Sequence, residues 1–401
     1  MVRGPGVDDR LRVAHVVHTI SRNAGGPRRS VPALSWAQAM AGHEVTIFVT
    51  PDAYTYADGW PPDINVQVCD RAYGGTLSYS PDLVRRLLEF EPHIIHSHGL
   101  WSLVSHSAQQ ASVRLGAPHL CAPRGCLDSW SLQHHGTRKR LARILYQDRV
   151  LKRLACIHAL TPAENSSIRG LGFRKPIAVV SNGISVPSVS RSEARRSVDD
   201  QHPEVRGKKL AIFISRIHPQ KGLPNLIEGW AMVGEAAQHW HLAIAGPDVG
   251  GHEAEIRRQV AQAGLDESVS FLGPLSESDV MWHLAAADVF VLPSFSEAFS
   301  MAILEAMAAG TAVCISDRCN FPLVAEAGCG IIFSPGPQPI RDALRQVMRL
   351  SPGELETMGS RGRSLALMSF SWESIAQQMV QVYRWLLDTR LPAPWTVDVG
   401  L

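Results

Sequence analysis

Cysteine is scarce in this chain: seven in 401 residues, with no pair in C-x-x-C spacing. An odd number without paired spacing argues against a disulfide framework and for free thiols in a reducing compartment. Cys314, Cys319 and Cys329 stand closest together, but their intervals lack the paired spacing of a zinc site. An excess of one charge is missing too. The formal net charge is +2, which argues against a dedicated nucleic-acid binder. No apolar run reaches membrane-spanning length. Asp8, Asp9 and Arg10 precede an apolar strand without the layout of a signal peptide, so the expectation is a cytoplasmic protein. Low-complexity tracts and short-period repeats are absent. Neither G-x-G-x-x-G nor a P-loop follows the first strand, so generic dinucleotide or nucleoside-triphosphate binding is not indicated.

What is present is an ordinary globular composition, 45% hydrophobic and 19% charged, over a length that predicts two domains. Strand-like runs at Leu11–Ile20, Glu44–Val49, His93–His96, Pro118–Ala122, Cys156–Leu160 and Ile177–Val180 alternate with helical patterns. From Ser185 to Lys209 the composition turns to Ser, Arg, Asp and Pro, and the alternation then restarts at Leu210–Ser215. This predicts an α/β protein of two doubly wound halves with parallel sheets. The expected divisions are 1–187, an interdomain segment 188–209, a second domain 210–371, and a terminal helix and tail 372–401.

In such sheets ligands bind beyond the carboxyl ends of the strands. The first loop there holds Gly25 and Gly26, which permit close backbone approach ahead of a helix N-terminus, or simply make a tight turn. His96 and His98, at i and i+2 on a strand, face one side. No nearby acidic or cysteine partner completes a metal set, so hydrogen bonding or a place at the ligand crevice is expected of His98. Thr137–Ala155 reads as an amphipathic helix with seven Arg or Lys against one Asp. Such a helix either lies on an anionic membrane or presents a solvated charged face. After Leu210–Ser215 come Arg216 and Lys221, two cations on one loop that suit a diphosphate, or else are solvated surface charges. Gly246 ends the next strand, His241–Ala245.

The reading turns on Pro293–Gly310, P-S-F-S-E-A-F-S-M-A-I-L-E-A-M-A-A-G, which follows the β-rich run Asp288–Leu292. Small and polar residues lead into a helical pattern with Ile303, Leu304 and Met307 on one side. A helix starting near Phe299 would present unpaired backbone N–H groups to an anion. Glu297 lies in the loop before that end, and Glu305 follows eight residues on. Carboxylates repel a phosphate, yet accept hydrogen bonds from hydroxyls attached to it, such as those of sugar or ribose. The plainer alternative is a helix-end charge at Glu297 and a solvated Glu305.

Taken in order, Gly25-Gly26, Ser181-Asn-Gly183, Arg216 with Lys221-Gly222, and Glu297 with Glu305 resemble glycosyltransferase family 4 over nearly the whole chain. The resemblance implies a GT-B fold, two Rossmann-like domains facing across a cleft, with Trp372–Leu387 crossing back to the first. It implies transfer of a sugar from a nucleotide-diphosphate sugar to a saccharide or lipid-linked saccharide, with retention at the anomeric carbon and with no metal or other cofactor. Glu297 would hold sugar hydroxyls, Glu305 the ribose, Arg216 and Lys221 the diphosphate, and backbone groups at Gly25, Gly26, Gly246, Phe299 and Ser300 the donor. Many members carry a histidine where this chain has Arg124 in Ala122-Pro-Arg-Gly125; arginine stays protonated and cannot be a general base, but could still bind a sugar oxygen or an acceptor phosphate. His98-Gly-Leu-Trp101-Ser102 with Pro123-Arg-Gly-Cys-Leu-Asp128 resembles a subgroup acting on bacterial surface polysaccharides. This places His98, Trp101, Arg124 and Asp128 on the acceptor side. The location implied is cytoplasmic, with peripheral contact at the inner membrane as the alternative. Two other classes remain open: a sugar-nucleotide epimerase of the same fold, and an inactive sugar-nucleotide-binding protein.

Overall fold

Strand–helix alternation predicts parallel sheets, and the computed structural model holds two. It describes residues 10–20, 26–51, 64–72, 78–127, 147–185, 189–297 and 299–400. The chain divides into one unit of Met1–Gly183 with Trp372–Leu401 and another of Ile184–Ser371.

The first unit carries β1 (Arg12–Val17), β2 (Glu44–Val49), β3 (Asn65–Val68), β4 (Ile94–His98), β5 (His119–Ala122), β6 (Cys156–Ala159) and β7 (Ile177–Val179). They lie parallel in the order β3-β2-β1-β4-β5-β6-β7. The second unit carries β8 (Lys209–Ile214), β9 (Trp240–Ala245), β10 (Val269–Gly273), β11 (Val289–Leu292), β12 (Ala312–Ser316) and β13 (Gly330–Phe333), ordered β10-β9-β8-β11-β12-β13. A short β14 (Val397–Asp398) adds antiparallel to β7. In both sheets the winding reverses beside the first strand, between β1 and β4 and between β8 and β11. Loops leaving these two strands diverge to opposite faces, which opens a crevice at their carboxyl ends.

Alternation along each strand sends side chains to two faces. In the first unit Val13, Ile94 and Leu120 pack with Ile375, Met379 and Tyr383 of the helix Trp372–Leu387. Ala14, Val16 and Ile95 pack on the other face with Leu83 and Leu87 of the helix Pro81–Phe90. The terminal helix spaces its buried positions at helical intervals, Ile375, Ala376, Met379, Val382 and Tyr383, and each large apolar chain it buries contributes about 1.5–3 kcal/mol.

Three expectations need correction. The polar stretch 188–209 holds the helix Arg191–Gln201, whose Ala194 and Val198 are buried in the second unit's core. Two apolar residues on one face suffice to dock an otherwise charged helix, which composition alone conceals. Strand β4 runs on to His98 because it pairs on both sides, Val17 with His98 and His98 with Ala122. The helix expected near Phe299 spans Met301–Ala308 with Ser300 as its N-cap. Of the basic helix at Thr137–Ala155 the described part is Asp148–Arg153, where Val150 and Leu151 are buried; the rest lies outside the described residues. No helix among the described residues is long and apolar enough to cross a membrane.

Candidate active site

The second unit's crevice is built from the loops after β8 and β11. The chain leaves β8 through Ser215 and exposed Arg216 and makes a single 3-10 turn, Pro219–Lys221. Gly222 then adopts φ +72°, and a Cβ there would stand 2.2 Å from the Pro293 carbonyl oxygen. Glycine therefore lets the two loops touch. They are further tied by Phe295 N–H donating to the Gln220 carbonyl at 2.9 Å and by Gln220 Nε2 donating to the Ser296 carbonyl at 2.9 Å. The contact brings Lys221 Nζ onto Glu297 Oε1 as a buried ion pair, their side chains 8% and 10% exposed. Ser294 Oγ donates to the same oxygen at 2.6 Å, and Asn320 Nδ2 donates to the Glu297 carbonyl at 2.8 Å. The sequence assigned these two residues to different parts of a ligand; the structure makes them partners.

The donor-side residues expected in this unit lie just before and within the helix Met301–Ala308 and after β9. Ser300 is buried at the start of the helix Met301–Ala308 and makes no side-chain cap bond there, and Glu305 is buried within the same helix. The Phe299 ring is held by Phe321 and Phe370, with centroids 5.9 and 6.4 Å away, so only its backbone is free to serve as expected. Gly246 has a structural reason to be glycine, since a Cβ would lie 1.8 Å from the Ser215 carbonyl oxygen. It lets the loop after β9 press against the root of the Arg216–Lys221 loop.

The first unit's crevice is lined by histidines on the sheet face that the terminal helix covers. Sequence reading found no partner for His96 and His98; the parallel pairing of β1 with β4 supplies His15, registered opposite His96. Ligand atoms of His15, His96 and His98 lie within 4.8 Å of one another. Yet their nitrogens are committed to a hydrogen-bond chain with one direction. Arg124 donates to His98 Nδ1 from Nη2 at 3.1 Å, so His98 carries its proton on Nε2. That proton goes to His15 Nδ1 at 2.9 Å, and His15 Nε2 donates to Gln38 Oε1 at 2.8 Å. Gln38 Nε2 donates to the Tyr383 hydroxyl at 3.2 Å, which donates to His96 Nδ1 at 2.8 Å. His96 Nε2 donates to His158 Nδ1 at 3.1 Å, and His158 Nε2 to the Val180 carbonyl at 2.6 Å. A metal on His98 Nε2 would put the ring proton on Nδ1, pointing at the guanidinium, donor against donor. The cluster is therefore a neutral relay, and burial holds each histidine below its usual pKa, His15 at about 4 and His158 at about 3.

Arg124 sits at the mouth of this relay, half-buried, with burial lowering its pKa to about 10, so it stays charged. Its backbone is left-handed, φ +54°, as is that of Trp101, φ +70°. Two non-glycine residues in this conformation at the carboxyl ends of adjacent strands mark strain concentrated at a site. Sequence reasoning missed Glu164, whose carboxylate accepts from Gly125 N–H and Leu160 N–H, each at 2.7 Å, and so clamps the loop after β5. The signal was there in Thr161-Pro-Ala-Glu164, a helix-capping pattern in which Thr161 Oγ1 accepts from Glu164 N–H. Gly26 is the first residue of the helix Gly26–Met40, with open space at its Cβ. Gly25 and Asp128 lie outside the described residues.

These features define a GT-B glycosyltransferase, and comparisons with known proteins agree. The chain superimposes on sucrose-phosphate synthase from Thermosynechococcus elongatus with a TM-score of 0.74 at 21% identity, covering 95% of this chain and 100% of that one. It superimposes on Anabaena HepE in complex with UDP and glucose with a TM-score of 0.73 at 20% identity, covering 93% and 99%. The family descriptions "Glycosyl transferases group 1" and "Glycosyl transferase 4-like domain" match residues 194–365 and 25–183. The chain belongs to the family 4 type of these glycosyltransferases. It is 25% identical over 303 residues to D-inositol 3-phosphate glycosyltransferase of Streptomyces bingchenggensis, over 72% of this chain and 66% of that protein's length.

Proposed function

We propose that this protein transfers a sugar from a nucleotide-diphosphate sugar to an acceptor hydroxyl, with retention at the anomeric carbon and without a metal, in the synthesis of a bacterial polysaccharide or glycolipid. The observation that carries the reading is the buried Lys221–Glu297 pair at the switch point of the second sheet, with Arg216 on the same loop. As the glycosidic bond breaks, negative charge grows on the leaving diphosphate, and fixed cations lower the barrier most at that moment. Lys221 is held in place by Glu297 before any ligand arrives, so little reorganisation is needed. The second oxygen of Glu297 then serves a sugar hydroxyl, Glu305 the ribose, and the N-terminal end of the helix Met301–Ala308 the anion. The complex of HepE with UDP and glucose supports a nucleotide-sugar donor for this fold. No protein nucleophile is required when a diphosphate oxygen takes the acceptor's proton.

A thermal-shift screen of UDP-, GDP- and ADP-sugars tests the reading. One of them at a hundred times its dissociation constant should stabilise the protein by about 2.7 kcal/mol. Turnover with donor and a saccharide acceptor should then survive EDTA. Conversion of donor alone into a new sugar nucleotide would make it an epimerase instead, and binding without turnover on any acceptor would make it a binding protein.

A further inference from the structure

Among the described residues Arg124 has no carboxylate counter-ion. Nη1 donates to Ser30 Oγ at 2.9 Å and to Asn182 Oδ1 at 3.2 Å, and Nη2 and Nε donate to His98 Nδ1 at 3.1 and 3.4 Å. All three acceptors are buried and neutral. No carboxylate among the described residues pairs with it. Glu164, the acid whose field reaches it, already spends its two oxygens on Gly125 N–H and Leu160 N–H. The histidine relay cannot compensate the charge either, since its direction requires every ring to stay neutral. A half-buried guanidinium ringed by neutral dipoles is costly unless an anion completes it.

Its placement sharpens the point. Ser30 lies in the opening turns of the helix Gly26–Met40, whose first turn contains no acidic residue and carries Arg28 and Arg29. A helix N-terminus bears partial positive charge, and a guanidinium docked against it is repelled. The fold holds Arg124 against this helix end with a left-handed backbone and a carboxylate clamp on Gly125. Hydroxyl recognition would need none of this.

We propose that Arg124 anchors an oxyanion of the phosphate or carboxylate class carried by the acceptor substrate, which makes that acceptor an anionic compound. The inference rests on the transferase reading above, in which the nucleotide's own diphosphate is served by Lys221 and Arg216 on the second sheet. Arg124 belongs to the first sheet, where the one Nη2 N–H left by those bonds can donate to an oxyanion oxygen.

The test titrates the full chain with inorganic phosphate, and separately with whichever of UDP, GDP or ADP the wild type binds, by calorimetry. Wild type should bind phosphate saturably, and R124M should bind it at least tenfold more weakly while keeping nucleotide affinity within about threefold. Unchanged phosphate affinity in R124M, or no saturable phosphate binding by the wild type, overturns the proposal. A tenfold loss of nucleotide affinity in R124M assigns the anion to the donor and overturns it as well. If R124M does not fold, R124K serves: lysine cannot reach Ser30, Asn182 and His98 together, so phosphate should bind several-fold more weakly, and equal affinity sinks the idea. Lack of nucleotide binding by the wild type would count against the transferase reading alone, because the phosphate arm is read without nucleotide.

Discussion

At the scale of single residues, the Lys221–Glu297 pair carries both stability and function, and the two can be separated. Each side chain is nearly enclosed, so removing one partner leaves an uncompensated charge and costs about 3–5 kcal/mol. K221M and E297Q should each lower the midpoint of urea unfolding, whereas the double variant should recover much of the loss; strict additivity would mean the pair is not coupled. Turnover should behave differently. K221A and R216A should each reduce it by roughly a hundred- to a thousandfold at saturating donor, the usual loss when one charge-stabilising group is removed. Near-normal turnover would leave these cations as mere anchors. Glu305 belongs to binding rather than to the chemical step. Glu305→Ala should weaken donor affinity by about 1.5–3 kcal/mol, and unchanged affinity in calorimetry would remove it from the ribose role.

At the scale of elements, the terminal helix Trp372–Leu387 does more than cover one face of the first sheet. Its Tyr383 hydroxyl is the link between Gln38 and His96, and so joins the two arms of the histidine relay. Tyr383→Phe keeps the ring and removes one oxygen, leaving a buried donor on Gln38 and a buried acceptor on His96 unpaired. The expected loss is about 1–3 kcal/mol by chemical denaturation, at nearly unchanged packing. A change below a few tenths would show that the relay closes without the hydroxyl. In the second unit the element at stake is the pair of loops joined at Gly222. Gly222→Ala demands a left-handed alanine and a Cβ within 2.2 Å of the Pro293 carbonyl oxygen, so the loops must part. Donor affinity should fall together with stability, because Lys221 and Glu297 are held on either side of that contact.

At the scale of the whole molecule, burial of neutral histidines sets a lower pH limit on the fold. His15 has its pKa lowered to about 4, His119 and His158 to about 3, and His96 and His98 well below the usual value, with burial the main cause in each. The positive Arg124 faces the relay and adds to the effect. Above about pH 6.5 these rings are neutral in folded and unfolded chains alike and pH changes nothing. Between 6.5 and about 4 the unfolded chain takes up protons that the folded chain refuses, so stability falls as pH falls. Each such histidine contributes up to about 1.4 kcal/mol per pH unit across that window. Urea unfolding followed from pH 7.5 to 4.5 should therefore show a slope of several protons below pH 6.5, and His158→Asn should reduce it. A flat profile would mean that the relay accepts protons in the folded state.

Much of this was legible in the chain. Strand–loop–helix alternation, the position of Arg216, Lys221 and Glu297 in loops that follow strands and of Glu305 in the helix after them, and the glycines at tight turns are local properties, set by period, turn chemistry and residue type within a few neighbours. The boundary at 188–209 misled because a docked helix needs only Ala194 and Val198, and the core that receives them lies far along the chain. The Lys221–Glu297 pair joins residues 76 apart, and the relay spans His15 to Tyr383. Such contacts depend on strand order and register, which no local pattern encodes. What only the tertiary structure decided is which charges are paired: it gave Lys221 a carboxylate and left Arg124 without one among the described residues, because pairing is settled by distances across the sheet and not by spacing along the chain.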